Sequence, residues 1–467
     1  DDEQRSQRRR GAAPYPRDKE GRTTRPAPEP APIAIVGLDA RFGPWSGRAE
    51  VAARLLGGGR PHAPARPDGW YGLDGAGFEG WYVGEIRVAP DRFRIPPVEV
   101  EAMLPQQALL LLVAAGALED APAVDPERAG VFVGIGLDLA TTSYHFRWLV
   151  ERRATGWARR LGIQPGSGEF EAWKGRLLDA AGPALSADRT AGGLGGLVAS
   201  RVARAFRIGG PSFTLSSEEG SGLRAVEVAV RALRARRVDS ALVGAVDLAG
   251  DVRAVRSRHA ARPYGEDSRP GEGAAALVLE RLDDAIAAGH AVHAVIRGVG
   301  GAIGVAGALE RARAEAGLPG AEVLDADPVR SIGDAGAASG MANLVLAVAA
   351  LAESVRPGRG GTSYWFSNRA DGPRHVAVAA TGEGGDGAAV VLAEAPSPSR
   401  ATARPLGETA EALFLLVADD ETGIAAAARR LATEEAGSIE ALARRWWRAH
   451  PPDPARRLGA AVVARSV

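Results

Sequence analysis

The sequence has no cysteine. Disulfides, thiolate zinc sites, iron–sulfur clusters and a cysteine nucleophile are therefore all excluded. Charge of a single sign is missing too: 57 Lys+Arg stand against 57 Asp+Glu, a formal net charge of zero. Neutralising phosphates requires a surplus of basic side chains, so the balance argues against a nucleic-acid partner. No run of about 18 apolar residues is present. The first ten residues, DDEQRSQRRR, are charged with no apolar stretch behind them, unlike a secretory leader. A soluble, cytoplasmic protein without membrane contact, metal or cofactor is expected. Lysine is almost lacking, with Lys19 and Lys174 alone, so arginine supplies the positive charge; this bias reads as a GC-rich genome before it reads as chemistry.

At roughly 100–200 residues per domain, 467 residues allow one large domain or two to three ordinary ones. Residues 1–31 carry RRR, PYPRDKEGRTTR and PAPEPAP with almost no bulky apolar side chain. Such a stretch cannot bury enough surface to offset its ordering entropy, and a disordered linker is expected. Order begins at Ile33, where IAIVGLDA (33–40) has the β-branched run and terminal glycine of a buried strand. Helical spacing follows at 99–120, with Pro105 a break or a first turn. GVFVGIG (130–136) is a strand, 192–206 a helix and GPSFTL (210–215) a strand entered through Gly-Pro. A helix over 221–237 places Leu223, Val226, Val230 and Leu233 on one face and Arg231, Arg234 and Arg237 on the other. Ser216 and Glu219 fit a capping box before it. Strands at 240–247, 273–282 and 293–300, a helix at 340–355 and two strands around a Gly-rich turn at 375–395 complete the alternation. Alternating strands and helices with apolar strands mean an α/β sheet covered on both faces. Beyond the Pro/Ser junction at 395–400 lie a strand (413–418), helices (422–434 and 438–450) and a terminal strand (458–467), which looks cut from a longer polypeptide. Trp446 and Trp447 there read as packing anchors.

Several motifs occur in a telling order: IAIVG (33–37), LPQQALLLLVAAGALEDA (104–121), GVFVG (130–134), GPSFT (210–214), ALVGAVD (241–247), PGEGAAALVLERLDDA (270–285), IGDAGAASGMANL (332–344) and GEGGDGAAVVL (382–392). Together they resemble the landmarks of β-ketoacyl synthase domains over about residues 32–395. The resemblance implies a thiolase-like five-layer αβαβα fold of two similar halves. Residues 396–467 resemble the small α/β linker domain that follows ketosynthases and often leads to an acyltransferase.

The family's chemistry uses a cysteine at a strand-to-helix turn, whose thiolate accepts the acyl chain, and two histidines that drive decarboxylation. Its cysteine stands in a pattern like GPxxxxDTACSSSL. This chain reads GPSFTLSSEEGSGL from Gly210 to Leu223, which puts Glu219 in the nucleophile slot. Asp334 occupies the place of the second histidine, in SIGD instead of NIGH, and Val329 aligns with the family's lysine. The first histidine's motif, like EAHGTGT, has no counterpart between 301 and 331, as if a loop had been deleted with it. The seven histidines fall on none of these motifs. Glu219 could act as an acid, base or nucleophile, but the plainer reading is the helix cap, worth about 0.5–2 kcal/mol. Asp334 has an equally plain reading as a turn residue before a helix. GEGGDG (382–387) lacks the Lys-Ser/Thr of a phosphate loop and precedes a strand; the resemblance places this turn beside the active site.

Losing both histidines with the cysteine implies, within the resemblance, a chain-length factor: a ketosynthase-like partner without catalytic residues, as in polyunsaturated fatty acid and iterative polyketide synthases. The implied partners are a ketosynthase domain in a heterodimer, an adjacent acyltransferase domain and an acyl carrier protein with its phosphopantetheine-bound chain. Thiolase-fold partners meet through edge strands and helices near the elbow, so Tyr144, Phe146, Trp148 and Phe213 are candidate tunnel or interface residues. Two other readings stay open at this level: residual acyl-thioester decarboxylase or hydrolase activity through Glu219, and a homodimeric structural spacer.

Overall fold

A computed structural model describes residues 30–59, 61–67, 78–265, 267–358, 361–367, 372–396, 411–434 and 439–465. The expected linker, apart from its last two residues, lies outside them. The chain divides into two compact units, residues 1–397 and 398–467.

The first unit contains the strands β1 (Ile33–Phe42), β2 (Ala129–Ile135), β3 (Ser212–Leu215), β4 (Ser240–Asp247), β5 (Gly273–Arg281), β6 (Ala294–Ile303), β7 (His375–Thr381) and β8 (Asp386–Glu394). They hydrogen-bond in the order β7-β8-β6-β1-β5-β4-β2-β3, and a two-residue strand, Trp45–Ser46, pairs with the end of β1. β2 runs parallel to both β3 and β4; the other pairings along the order are antiparallel. One seam joins the two halves: Ile33–Ile35 pair with Arg281–Leu279 of β5 on one side and with Ile296–Ala294 of β6 on the other.

Its principal helices are α1 (Pro105–Asp120), α2 (His145–Arg160), α3 (Gly168–Ala181), α4 (Leu197–Phe206), α5 (Ser221–Arg234), α6 (Val252–Ala261), α7 (Val305–Ala316) and α8 (Ser339–Glu353). α1 and α4 cover the outer face of the half sheet containing β1–β5. α5 and α8 pack against each other between the halves, and α7 covers the outside of β6–β8. Five layers result, as the resemblance implies. The central core is continuous across them, joining Ile35 and Leu277 of one half to Val390 and Leu392 of the other through Leu223, Val226, Leu344 and Val345. A helix enclosed on every side has no reason to keep a polar face. Residues 336–353, which include α8, are accordingly long and apolar enough to cross a membrane by composition, yet mostly buried inside the fold.

Pro105 is the first residue of α1, where its missing N–H costs nothing; the segment before it is a separate short helix, Pro97–Ala102. The arginine stripe of α5 divides between solvent and protein. Arg231 pairs with Glu227 at 2.8 Å, Arg234 pairs with Glu315 and donates to the Ala31 carbonyl at 2.9 Å, and Arg237 lies past the helix end. Arg231 and Arg237 are exposed to solvent, and of the three only Arg234 is turned toward protein. α7 occupies the stretch in which the first histidine's motif is missing. Beyond it, Val323 makes an isolated parallel bridge to Ala377 of β7.

The second unit pairs β9 (Ala412–Ala418) with β10 (Leu458–Ala464) in antiparallel register and carries α9 (Glu421–Thr433) and α10 (Ile439–Ala449). Trp446 is buried in its core with Phe414, Leu416 and Leu442. The indoles of Trp446 and Trp447 donate to the carbonyls of Leu415 and Leu413, each at 3.0 Å. Both therefore anchor α10 to β9.

Candidate functional site

β3 ends at Leu215 and α5 starts at Ser221, leaving a five-residue elbow at the end of the parallel strands. Glu218 there adopts φ +49°, a left-handed conformation unusual for a residue with a side chain. Local bonds hold it. Ser221 Oγ accepts from the Ser217 N–H at 2.8 Å and donates to the Glu218 carbonyl at 2.6 Å. Glu218 Oε2 accepts from the Gly384 N–H at 2.9 Å.

The capping box does not form. α5 is capped by Gly220, without any side-chain cap bond. Glu219 precedes the helix instead of sitting in its first turn, so it cannot reach back as a box requires. Its Oε1 accepts from Arg262 Nη2 at 2.5 Å, while Oε2 is buried without a hydrogen-bond partner. Burial raises the Glu219 pKa; its own amide and Arg262 pull the other way, and Asp334 and Glu218 add to the rise, so the net shift is upward.

Asp334 is buried just before α8. Its Oδ1 accepts from the Gly336 N–H at 3.0 Å, a side-chain-closed turn. The main chain ties it to the opposite loop, with its N–H donating to the Arg269 carbonyl at 2.8 Å. Val329 is half-buried in the short helix Pro328–Ile332, its N–H capped by Asp327 at 3.0 Å, so no charge stands at that position.

A second ion pair lies beneath these groups. Asp247, at the end of β4 and 2% exposed, accepts from Arg258 Nη2 at 2.6 Å and from the Ala337 N–H at 2.8 Å. A Cβ on either Gly136 or Gly336 would come within 2.2 Å of its Oδ2, so two glycine backbones close over the carboxylate. Burial pushes Asp247 up against the pull of Arg258. Arg258 moves up as well: its burial acts downward, but Asp247, Asp334 and Tyr264 outweigh it. Burial also raises the Tyr264 phenol. His259, on α6 beside this pair, is occupied by the main chain, its Nδ1 lying 3.1 Å from the Tyr264 N–H.

The Gly-rich turn between β7 and β8 lies against the elbow, as the resemblance implies. Asp386 accepts from Ser217 Oγ and from Arg224, and Arg224 pairs onward with Glu227 at 2.7 Å. Carboxylates and guanidinium groups thus occupy this place and link it to both neighbouring segments. Glu219 and Asp334 were recognisable from motif positions. Arg262, Arg258, Asp247 and Asp386 were not, although an aspartate ending the run ALVGAVD was a usable signal.

Of the four aromatic candidates, Tyr144 and Trp148 meet edge to face, their rings 5.1 Å apart, while Phe146 and Phe213 have other partners. Phe213 is on the edge strand β3, 42% exposed, its ring 5.3 Å from Phe132. Phe146 stacks under Arg253 at 4.9 Å. Trp148 is 58% exposed. Tyr144 lines a cavity of about 390 Å³ with Leu185 and Leu194. A larger cavity, about 780 Å³, lies between Trp81, Tyr82, Leu248 and Glu272 and shares Met103 and Pro105 with the smaller one. Burial lifts Glu272 to about 7, and its carboxyl accepts from the Val83 N–H at 2.8 Å.

The sequence profile of the β-ketoacyl synthase N-terminal domain matches residues 31–285, more than half of the chain. The chain belongs to the β-ketoacyl synthase family. Among curated relatives, a spectinabilin polyketide synthase system protein of Streptomyces orinoci is 32% identical over 58% of this chain. A polyunsaturated fatty acid synthase component from Thraustochytrium is 27% identical over 65% of this chain. This ketosynthase-family chain spans only 7% and 16% of those two proteins' lengths. Its fold is that of solved ketosynthase structures. The PfaC ketosynthase–chain length factor matches with TM-score 0.67 and 21% identity, over 83% of this chain and 44% of that one. The oxazolomycin ketosynthase domain OzmH KS7 matches with TM-score 0.60 and 22% identity, over 84% and 79%.

Proposed function

We propose that this ketosynthase-like domain is a non-catalytic chain-length factor, which pairs with an active ketosynthase in a polyketide or polyunsaturated fatty acid synthase and shapes its acyl tunnel. The observation that carries the reading is the elbow: Glu219, which the family resemblance aligns with the nucleophile, is tied to Arg262 in a chain without a thiol. A carboxylate cannot hold an acyl group as a thioester, and Asp334, which the resemblance aligns with the second histidine, is engaged in a turn.

The pairing surface would be the open edge of β3, which ends the sheet order and exposes Phe213. An unpaired strand edge presents free N–H and C=O groups to a partner strand. Tyr144, at its cavity, would help close the partner's tunnel. The flanking acyltransferase and the acyl carrier protein belong to the same reading, as components that hand substrate to the ketosynthase of the pair.

The deciding experiment measures solution mass for this chain alone and mixed with the ketosynthase domain encoded beside it. A one-to-one complex is expected, lost on Phe213→Asp. A chain that remains a homodimer in the mixture refutes the heterodimer and leaves the structural-spacer reading. A second enzymatic reading is favoured by the raised pKa of Glu219, which suits a proton donor. It predicts release of carbon dioxide from malonyl carrier protein, or hydrolysis of an acyl carrier protein, abolished by Glu219→Gln; no turnover by the wild type eliminates it.

A further inference from the structure

The α2–α3 hairpin has its own small core, Ala154, Ala158 and Phe170 with Ile163 and Trp173. Val150, Ala154 and Ala158 are the buried residues of α2. Its opposite face is exposed along the whole length: Trp148, Leu149, Arg152, Arg153, Arg159 and Arg160. The arginines form two adjacent pairs one heptad apart, about 10 Å along the axis. The single carboxylate of α2, Glu151, is off this face and interacts with Lys174 at 3.9 Å. Trp148 and Leu149, 58% and 47% exposed, add an apolar step at the helix start.

From this pattern we infer that the outer face of α2 docks an acidic helix of a partner protein, one that presents carboxylate pairs a heptad apart and an apolar side chain opposite Trp148. Charge complementarity selects that occupant. Four guanidinium groups in a chain of zero net charge are a small footprint for a duplex, whose binders commonly neutralise about 6–10 phosphates. A membrane-seated helix must sink its apolar face into the lipid, and the apolar face of α2 is already used against α3. A protein helix needs only the matched spacing, with the guanidinium forks suited to carboxylates. The heterodimer's proposed surface is the β3 edge; Trp148 is also a candidate residue of that interface, and the test below separates the two assignments.

The test titrates the full chain with a synthetic helical peptide carrying glutamate pairs one heptad apart and a terminal leucine. Affinity is expected to fall with salt and to drop about tenfold or more in R152E/R153E/R159E/R160E. W148A/L149A is expected to weaken binding without changing its salt dependence. A peptide of the same composition, with its glutamates scattered around the helix, is expected to bind about fivefold less tightly or worse. Near-UV circular dichroism reports whether the charge-reversed chain is folded, and the corresponding four-glutamine variant repeats the test if it is not. Equal binding of the scattered peptide, or full affinity in the quadruple variant, overturns the proposal. So does tighter binding to duplex DNA or to vesicles containing phosphatidylserine. If the quadruple variant loses the one-to-one ketosynthase complex, the face belongs to that interface and the acidic-helix assignment fails, while the heterodimer stands.

Discussion

Glu219 is a carboxyl with one oxygen satisfied by Arg262 and the other buried without a partner. Its upward shift means that the folded state prefers it protonated. For an acid with a raised pKa, the stabilising contribution is complete below the unfolded pKa and is lost as pH rises through the folded one. Glu219→Gln should therefore gain on the wild type as pH increases from 4.5 to 8, read as the difference in urea-unfolding free energy. A constant difference would mean that Arg262 fully compensates the buried charge. Glu272 behaves alike on a defined window. Moved from 4.5 to about 7, it should cost the wild type about 3 kcal/mol between those pH values relative to Glu272→Gln, by linkage. The same urea series checks this, and a flat difference across the window would contradict it. At this scale Glu219 and Asp334 can be singled out in the sequence, because they sit inside motifs. Their ionic partners are hidden, since Arg262 is 43 residues from Glu219 in a segment without strand or helix periodicity. Only the fold brings the two together.

Among the elements, α5 approaches β2 so closely that Gly134 has no room for a side chain. A Cβ there would sit 2.5 Å from the Ser221 carbonyl carbon and 2.8 Å from the Gly222 nitrogen, both backbone atoms. Gly134→Ala should destabilise by at least about 1–3 kcal/mol, because neither element can yield without moving the elbow. A Cβ at Gly222 meets the buried Met341 Cγ at 2.6 Å, with the Ala245 Cβ and the Ala337 carbonyl oxygen at 3.1 and 3.3 Å, so Gly222→Ala should cost less only to the extent that the Met341 side chain turns away. Urea midpoints of the two variants decide it, and equal losses would refute the distinction between a rigid and a yielding neighbour. The buried strands and α1, α5 and α8 were legible because apolar runs and glycine punctuation mark them. α2, α3 and α7 were missed. α2 buries only Val150, Ala154 and Ala158 while its Trp148 and Leu149 are exposed, and α7, VAGALERARAEA, buries only alanines, so neither produces a strong apolar period. The capping box failed for another reason. Its spacing was present, but the helix begins two residues after Glu219, and boundaries are set by packing against β2 and α8 more than by local pattern.

As a whole molecule, the first unit is one core shared by two halves. α5 and α8 are buried by both, so neither half can cover its own apolar helix alone. Residues 30–285 and 286–396 expressed separately should give aggregated or unfolded chains, and co-expression should restore the fold. Circular dichroism and gel filtration check the outcome, and a monomeric, cooperatively melting single half would contradict it. The layered architecture follows from alternation in the sequence. The seam does not, since nothing in IAIVG announces that a strand will be paired on both edges.

That seam has a consequence for synthesis on the ribosome. Ile33–Ile35 leave the ribosome ahead of both of their partners, Leu279–Arg281 and Ala294–Ile296, which follow about 250 residues later. At elongation rates of about 5–20 residues per second, β1 waits some tens of seconds with both edges open. During that interval it is an apolar, β-branched template for any nascent chain alongside. In an assembly built from several ketosynthase-like segments, the neighbouring strands of similar sequence are the nearest competitors. The order in which such segments are translated, and the chaperones that meet them, then decide how much chain reaches the native sheet.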